Sequence, residues 1–406
     1  LTGTAGRGTR GPAAGRGHQG LTFGTCRTMV MLERLRGAAG IANGEKSKQG
    51  MFMIEHEPLQ PSGQRIHSVD ALRGFAMLWI IGGDEVLKGL AKVWSTPATE
   101  MLSRQMEHAG WEGFRFLDLI FPLFLFLVGV LLPFSIGRRL AQGAGRKALY
   151  VHIAKRALIL MVLGLVNYGL LRFDWDQMRW STVLGRIGVC YFFAALMVIH
   201  TGWRTQALVA AAILLLFWAA LVFIPVPGYG PGVLTPEGCL TTYLDQLLIP
   251  GRLGLGLYDR QGILSTFTAL STTLLGVLAG HWLHSGRHPR RKAAGLLVAG
   301  LAGLILGRIW GRFFFISRNI WTSSFVVYAA GWSLLLLAAF YWIVDVKGYR
   351  RWAFFLTVIG MNSVTIWVGQ RCIDFNYTAR YLFNGILQHT GTLAPVLAAA
   401  SVLMLK

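Results

Sequence analysis

His108 stands in "QMEHAGWEGFRFLDLIFPLFLFLVGV" (105–130), with Glu107, Trp111, Glu112 and Asp118 close by and an apolar run directly after it. An imidazole titrates near neutral pH, so at such a place it can take a proton from an amine or a hydroxyl, or attack a carbonyl itself. On their own, the same residues also fit an idle loop histidine.

Two clusters upstream share this double character. In "RIHSVDALRGF" (65–75), Arg65, Ser68, Asp70 and Arg73 stand at the entrance to an apolar segment. On a helix Asp70 and Arg73 can pair at i, i+3, and two guanidinium groups suit an anionic ligand such as a phosphate. A snorkelling helix end reads equally well. In "WIIGGDEVLKG", Asp84 follows eleven residues after Arg73, about 16 Å deeper along a helix. A carboxylate at that depth must face a polar cavity and a partner. If the helix stops at Gly82 and Gly83, Asp84 is instead an ordinary loop acid.

Other polar groups punctuate the later chain. "FDWDQMRW" and "RFFFISRNIW" contribute Asp174, Asp176, Arg179, Arg312, Arg318, Asn319 and Trp321, where tryptophan can stack on a sugar ring or anchor the membrane interface. Asn362 and Ser363 fall inside an apolar segment, either as bonds between helices or as ligand contacts. His281, His284 and His288 lack a carboxylate in a shared ligand geometry and read as interfacial, so no metal site is expected. No P-loop, dinucleotide fingerprint or serine nucleophile elbow is found.

The elements that must position these groups are membrane helices. Of 406 residues 54% are hydrophobic, mean hydropathy is +0.50, and the apolar residues fall in blocks long enough to cross hydrocarbon. Ten segments are expected, near 71–90, 117–136, 157–171, 182–200, 207–225, 263–283, 293–310, 322–345, 353–371 and 391–405. The fold class is therefore all-α, a polytopic membrane helix bundle of about ten transmembrane helices. The 1–64 segment, rich in Gly, Arg, Ala and Thr, reads as a disordered N-terminal segment, and Met51 and Met53 just ahead of the patterned region fit an over-extended start. Residues 65–406 read as one transmembrane domain.

The net charge of +21 would suggest nucleic acid in a soluble chain, but the basic residues sit between apolar runs. Loops 137–156, 201–206, 283–293 and 346–352 hold 14 Lys or Arg and no Asp or Glu, whereas the opposite loops mix both signs. The positive-inside rule places these loops and the N-terminus in the cytoplasm and His108 on the outer side, without any nucleic-acid partner. The four cysteines show no metal or disulfide spacing, although Cys239 and Cys372 fall in loops that could bring them together.

In combination, "RIHSVDALRG" (65–74), His108 with Trp111 and Gly113, "DLIFPLFLFLVG" (118–129), "LGRIGVCY" (184–191), "RNIWTSSF" (318–325) and "GMNS" (360–363) resemble the catalytic transmembrane domain of the heparan-alpha-glucosaminide N-acetyltransferase family. The resemblance runs from about Arg65 to the end of the chain. It implies a transmembrane acyltransferase domain that moves an acetyl group from cytoplasmic acetyl-CoA to the amine of an amino sugar or glycan on the outer side. His108 corresponds to the family's catalytic histidine, and Asp84 to its intramembrane Asn or Asp. Arg65, Ser68, Asp70, Arg73, Asn362 and Ser363 are the expected acetyl-CoA contacts; Trp111, Asp259, Asn319 and Trp321 are the expected acceptor contacts.

The chain departs from that pattern at Gly185, where relatives often carry Gln, and at Asp259, Arg260, Gln261 and Gly262, which stand in place of Asp-Pro-Glu-Gly. O-acetylation of an envelope glycan needs the same general base and stays open, as does a transporter or flippase of a lipid-linked sugar. The implied setting is the bilayer of a bacterial inner membrane, with a homodimer admitted by this reading.

Overall fold

The computed structural model describes residues 66–143 and 145–406. The expected disordered 1–64 segment and Arg65 lie outside the described residues. What is described is helical, with two isolated β-bridges, Arg179 to Gly251 and Val226 to Gly230.

Among the described residues, seven helices are long and apolar enough to cross a membrane, one of them continued by a π-turn. The first expected span is not among them, because it is broken. α1 (His67–Leu78) runs into a π-turn at Trp79–Gly83, and α2 (Asp84–Val93) continues beyond it. The break occurs at Gly82, whose φ of 129° is open to glycine but strained for a residue with a Cβ. Asp84 is thus neither buried in an unbroken helix nor free in a loop; it opens the second half-helix. α3 (Pro97–Gln105) then crosses the surface, opened by a Thr96–Thr99 capping box.

The second span is α4 (Phe116–Ala141), followed by α5 (Arg146–Asn167), α6 (Val183–His200) and α7 (Trp203–Phe223). A short α8 (Leu240–Leu248) precedes α9 (Ile263–His284), α10 (Pro289–Trp310) and α11 (Ser323–Phe340), the last extended by a π-turn to Val346. The expected 353–371 span is divided at Asn362 into α12 (Phe354–Met361) and α13 (Ser363–Cys372). α14 (Phe375–His389) and α15 (Ala394–Leu405) complete the chain. Both breaks fall where the apolar run turns more polar, at Gly82–Asp84 and at Asn362–Ser363.

Burial separates central helices from peripheral ones. In its apolar window α4 is 72% buried and α9 61%, against 28% for α5 and α7 and 22% for α10, so the first two form the axis and the others face lipid. α4 and α9 meet through small residues: a Cβ on Gly129, Gly276 or Gly280 would overlap the backbone of Thr273, Phe126 or Val130. Such close approach supplies the dispersion contact that joins helices where lipid removes the hydrophobic drive. The same device joins α1 to α12, where Gly74 lies on the Leu356 carbonyl and Gly360 on the Asp70 carbonyl.

Cys239 and Cys372 carry free thiols. Cys239 is buried at the head of α8, its Sγ 3.2 Å from Thr241 Oγ1, while Cys372 ends α13 on the surface.

Candidate active site

The polar end of α4 organises the site. Asp118 lies in its first turn and is 1% exposed, yet each oxygen is well supplied with donors. Oδ1 is 2.9 Å from His108 Nδ1 and accepts from Arg318 Nη1 at 3.0 Å. Oδ2 accepts from the backbone N–H groups of Ala109 and Arg115 at 3.1 and 3.0 Å. A buried carboxylate accepts and does not donate when ionised, so the imidazole proton sits on Nδ1 and the Nε2 lone pair is left for chemistry.

The ring itself is half-exposed. Burial, together with the positive charges of Arg318 and Arg260, holds the His108 imidazole below the usual histidine range, against the opposing pull of Asp118. It is therefore neutral at neutral pH and able to act as a base.

His108 also lines an internal cavity of about 280 Å³. Arg318 and Gln261 border it with His108; Asp84, Trp79, Phe124 and Trp367 form its walls; Met77 and Ser363 lie on the wall that α1 and α13 supply. Asp84 pairs with Lys88 at 2.8 Å, which satisfies one carboxylate oxygen. Behind Ser363, Arg73 Nη2 donates to its Oγ at 2.8 Å, while Arg73 Nη1 lies 3.8 Å from Asp70. The break at Asn362 gives Ser363 this place, because it starts a new helix there.

Of the sequence-derived candidates, His108, Asp84 and Ser363 thus border one cavity, with Arg73 and Asp70 directly behind Ser363. Ser68 is buried, its N–H donating to Asp345 at 3.1 Å. Asn362 is exposed, turned back to the Val358 carbonyl, and is not on the cavity wall.

The acceptor-side candidates build the frame around the histidine. Asn319 donates to the Gly110 carbonyl at 2.7 Å and accepts from Arg260 at 3.1 Å, tying the His108 loop to the loop after α8. Trp111 donates to the Leu234 carbonyl at 2.7 Å and packs edge-on against Tyr258. Asp259 is buried and receives Arg179 in a forked pair at 3.0 and 2.7 Å; its carboxylate also accepts from the backbone N–H groups of Gly254 and Gln261, and so shapes the loop that brings Gln261 to the cavity. Trp321 is 1% exposed, packed among Phe121, Phe325 and the Arg186 guanidinium, and is not on the cavity wall.

Three residues of the site were not assigned a role from the sequence: Arg318 and Gln261 on the cavity wall, and Asp118 behind His108. For Asp118 a signal existed, an acid at the start of a strongly apolar helix, but it reads equally as a helix-terminal charge. His281 bonds Gln206 at 3.0 Å, and among the described residues no group of three His, Cys, Asp or Glu gathers as metal ligands.

Fold and site together define a polytopic helical membrane protein with a carboxylate-oriented histidine at the edge of an internal cavity. The chain is a distant relative of the heparan-alpha-glucosaminide N-acetyltransferases. It is 27% identical to that of Mus musculus over 82% of this chain and 58% of the relative, and 28% identical to that of Homo sapiens over 77% and 53%. The chain spans little more than half the length of these curated relatives. No protein-family model matches it.

Proposed function

We propose that the chain is a membrane-embedded acetyltransferase that carries an acetyl group from acetyl-CoA to an amino sugar or related glycan at the His108 end of the bundle. The observation that carries this reading is the single cavity bordered by both the Asp118-oriented His108 and Ser363, the side chain bound by Arg73. The distant relatives bear the name of the same chemistry.

In this reading Arg73, with Arg65, receives the nucleotide phosphates, and the pantetheine arm lies along the cavity past Ser363 and Asp84. Ser68, Asp70 and Asn362 support that mouth. The acceptor arrives beside His108, in the frame built by Trp111, Asp259 and Asn319. Nε2 of His108 takes a proton from the acceptor amine as its nitrogen bonds to the thioester carbonyl carbon. The carbon–sulfur bond then breaks, its electron pair goes to sulfur, and the imidazolium returns the proton to give the free CoA thiol. Arg318 borders the cavity and offsets negative charge on the carbonyl oxygen during the addition. Transfer through an acetyl-histidine uses the same groups with Nε2 as nucleophile. The charge distribution of the loops supports a cytoplasmic donor side and an outer acceptor side, the arrangement of a bacterial inner-membrane enzyme.

The test is acetyl transfer from labelled acetyl-CoA to glucosamine by the purified chain, beside His108→Ala. Transfer that disappears in the variant while acetyl-CoA binding persists is the expected result. Folded protein that binds no acetyl-CoA would overturn it in favour of a sugar transporter; binding without transfer to glucosamine would redirect the acceptor to another amine or to a glycan hydroxyl.

A further inference from the structure

A second cavity, of about 490 Å³, lies between α5, α6 and α9. α6 is the wall between the two: Val183, Leu184 and Ile187 face the first cavity, Gly185, Arg186 and Val189 the second. At about 100° per residue these sets fall on opposite sides of one helix. Gln261 borders both.

The second cavity has two unlike ends. Thr182, Arg186 and Gln261 gather at the end of α6 nearest the His108 loops. Phe193, Phe267 and Leu270 line the part about two turns deeper, roughly 10 Å along the helix. Phe193 is 50% and Phe267 54% exposed, so the cavity opens sideways onto the lipid-facing surface of the bundle.

Arg186 is the unusual group. It is 3% exposed, and its Nη2 donates to Ser265 Oγ at 2.5 Å and to the Gly262 carbonyl at 3.3 Å. Its guanidinium lies over the Trp321 ring at 5.1 Å. Nε and Nη1 are buried with no hydrogen-bond partner in the protein, and among the described residues no carboxylate comes within ion-pair distance. The nearby acids bond elsewhere: Asp245, on α8, accepts from the Ile263 N–H, and Asp259 is forked by Arg179. A buried guanidinium with two unused donors is costly, and an anion is the chemistry that relieves it. Guanidinium donors match phosphate oxygens well.

We propose that this cavity binds a phospholipid of the surrounding bilayer, its phosphate at the end lined by Thr182, Arg186 and Gln261 and an acyl chain along Phe193, Phe267 and Leu270. Polar end toward the bundle terminus and apolar end toward mid-membrane is the orientation a lipid already has in the leaflet on the His108 side. Bound there, its headgroup lies behind the α6 wall of the first cavity, with Gln261 between the two.

The test uses the full chain, purified in detergent and delipidated, with dioleoylphosphatidylglycerol titrated in native mass spectrometry. Dioleoylglycerol, with the same chains and no phosphate, and inorganic phosphate, with no chains, are the two controls. Wild type is expected to hold one phosphatidylglycerol, to bind dioleoylglycerol about tenfold or more weakly, and to keep its lipid in inorganic phosphate. Arg186→Met should weaken the lipid about tenfold or more. Val189→Phe, which fills the cavity and leaves Arg186 in place, should do the same and serves if the arginine variant fails to fold. Equal lipid retention by a folded variant of either kind, equal binding of dioleoylglycerol, or displacement by inorganic phosphate alone would overturn the proposal.

Discussion

Asp118 joins His108 and Arg318 through a single oxygen, at 2.9 and 3.0 Å, although Arg318 lies 200 residues further along the chain. The imidazole is thereby fixed in one tautomer. Burial first, and then the arginine at the same oxygen, keeps the ring neutral.

Asp118→Asn keeps the size of the side chain but removes the charge that selects the Nδ1–H tautomer. Acetyl transfer should fall by about 10²-fold or more, the usual worth of a positioned general base. Arg318 also loses its carboxylate, so the unfolding midpoint should drop, in line with the roughly 3–5 kcal/mol cost of breaking a buried pair. Steady-state rates at saturating acetyl-CoA, read beside thermal unfolding, separate the two effects. A rate unchanged in folded protein would remove Asp118 from the chemistry.

His108 predicts the shape of the pH profile. Its value lies below the ordinary 6.5, so the base form is present at neutral pH and transfer is lost as pH falls through the lowered value. The linked stability has the same sign: the unfolded chain takes up the proton first, near 6.5, and the fold weakens below that pH. Arg318→Met removes a positive charge beside the ring, and the acid limb should move to higher pH. A pH–rate profile of both proteins checks this; a limb that stays in place excludes the arginine as the cause.

The Arg179–Asp259 pair predicts a loop effect. Asp259 has no side-chain exposure and Arg179 has 20%, so the pair is only lightly screened. Asp259→Ala should lower stability by about 3 kcal/mol, at the lower end of the range for buried pairs. It also frees Gln261, which Arg179 contacts, and the Michaelis constant should rise more than kcat falls. Arg179→Lys, without the fork, should show an intermediate loss of stability.

The seam between α1 and α12 predicts a sharp difference between two glycines. A Cβ at Gly360 overlaps the Asp70 carbonyl, whereas one at Gly369 meets nothing within 4 Å. Gly360→Ala should cost about 1–3 kcal/mol or prevent assembly, as overpacking against backbone does. Gly369→Ala should be close to neutral. Equal folded yields of the two variants in detergent would show that the helices can separate without cost.

Much of this protein is legible in its order of residues. Apolar blocks of membrane length announce the bundle, because every backbone group in hydrocarbon must be satisfied within its own helix, which is a local requirement. His108, Asp84 and Ser363 are legible too, because polar groups beside or inside apolar runs are costly enough to call for a reason. The break at Gly82 is legible only as one of two alternatives, and the break at Asn362 is not, since a polar pair inside an apolar run also fits an unbroken helix. Nor is the burial of Trp321, which in sequence matches any interfacial tryptophan.

The sequence by itself therefore determined the helical membrane class and the position of one histidine at the edge of one span. Only the tertiary structure decided that Asp118 and Arg318 complete it, that Ser363 and Asp84 border the same cavity, and that Arg186 faces another. The physical reason is that these meetings depend on how each helix is rotated about its axis and where it breaks. Rotation is set by close contacts between backbones far apart in the chain, such as Gly360 on Asp70 and Gly276 on Phe126.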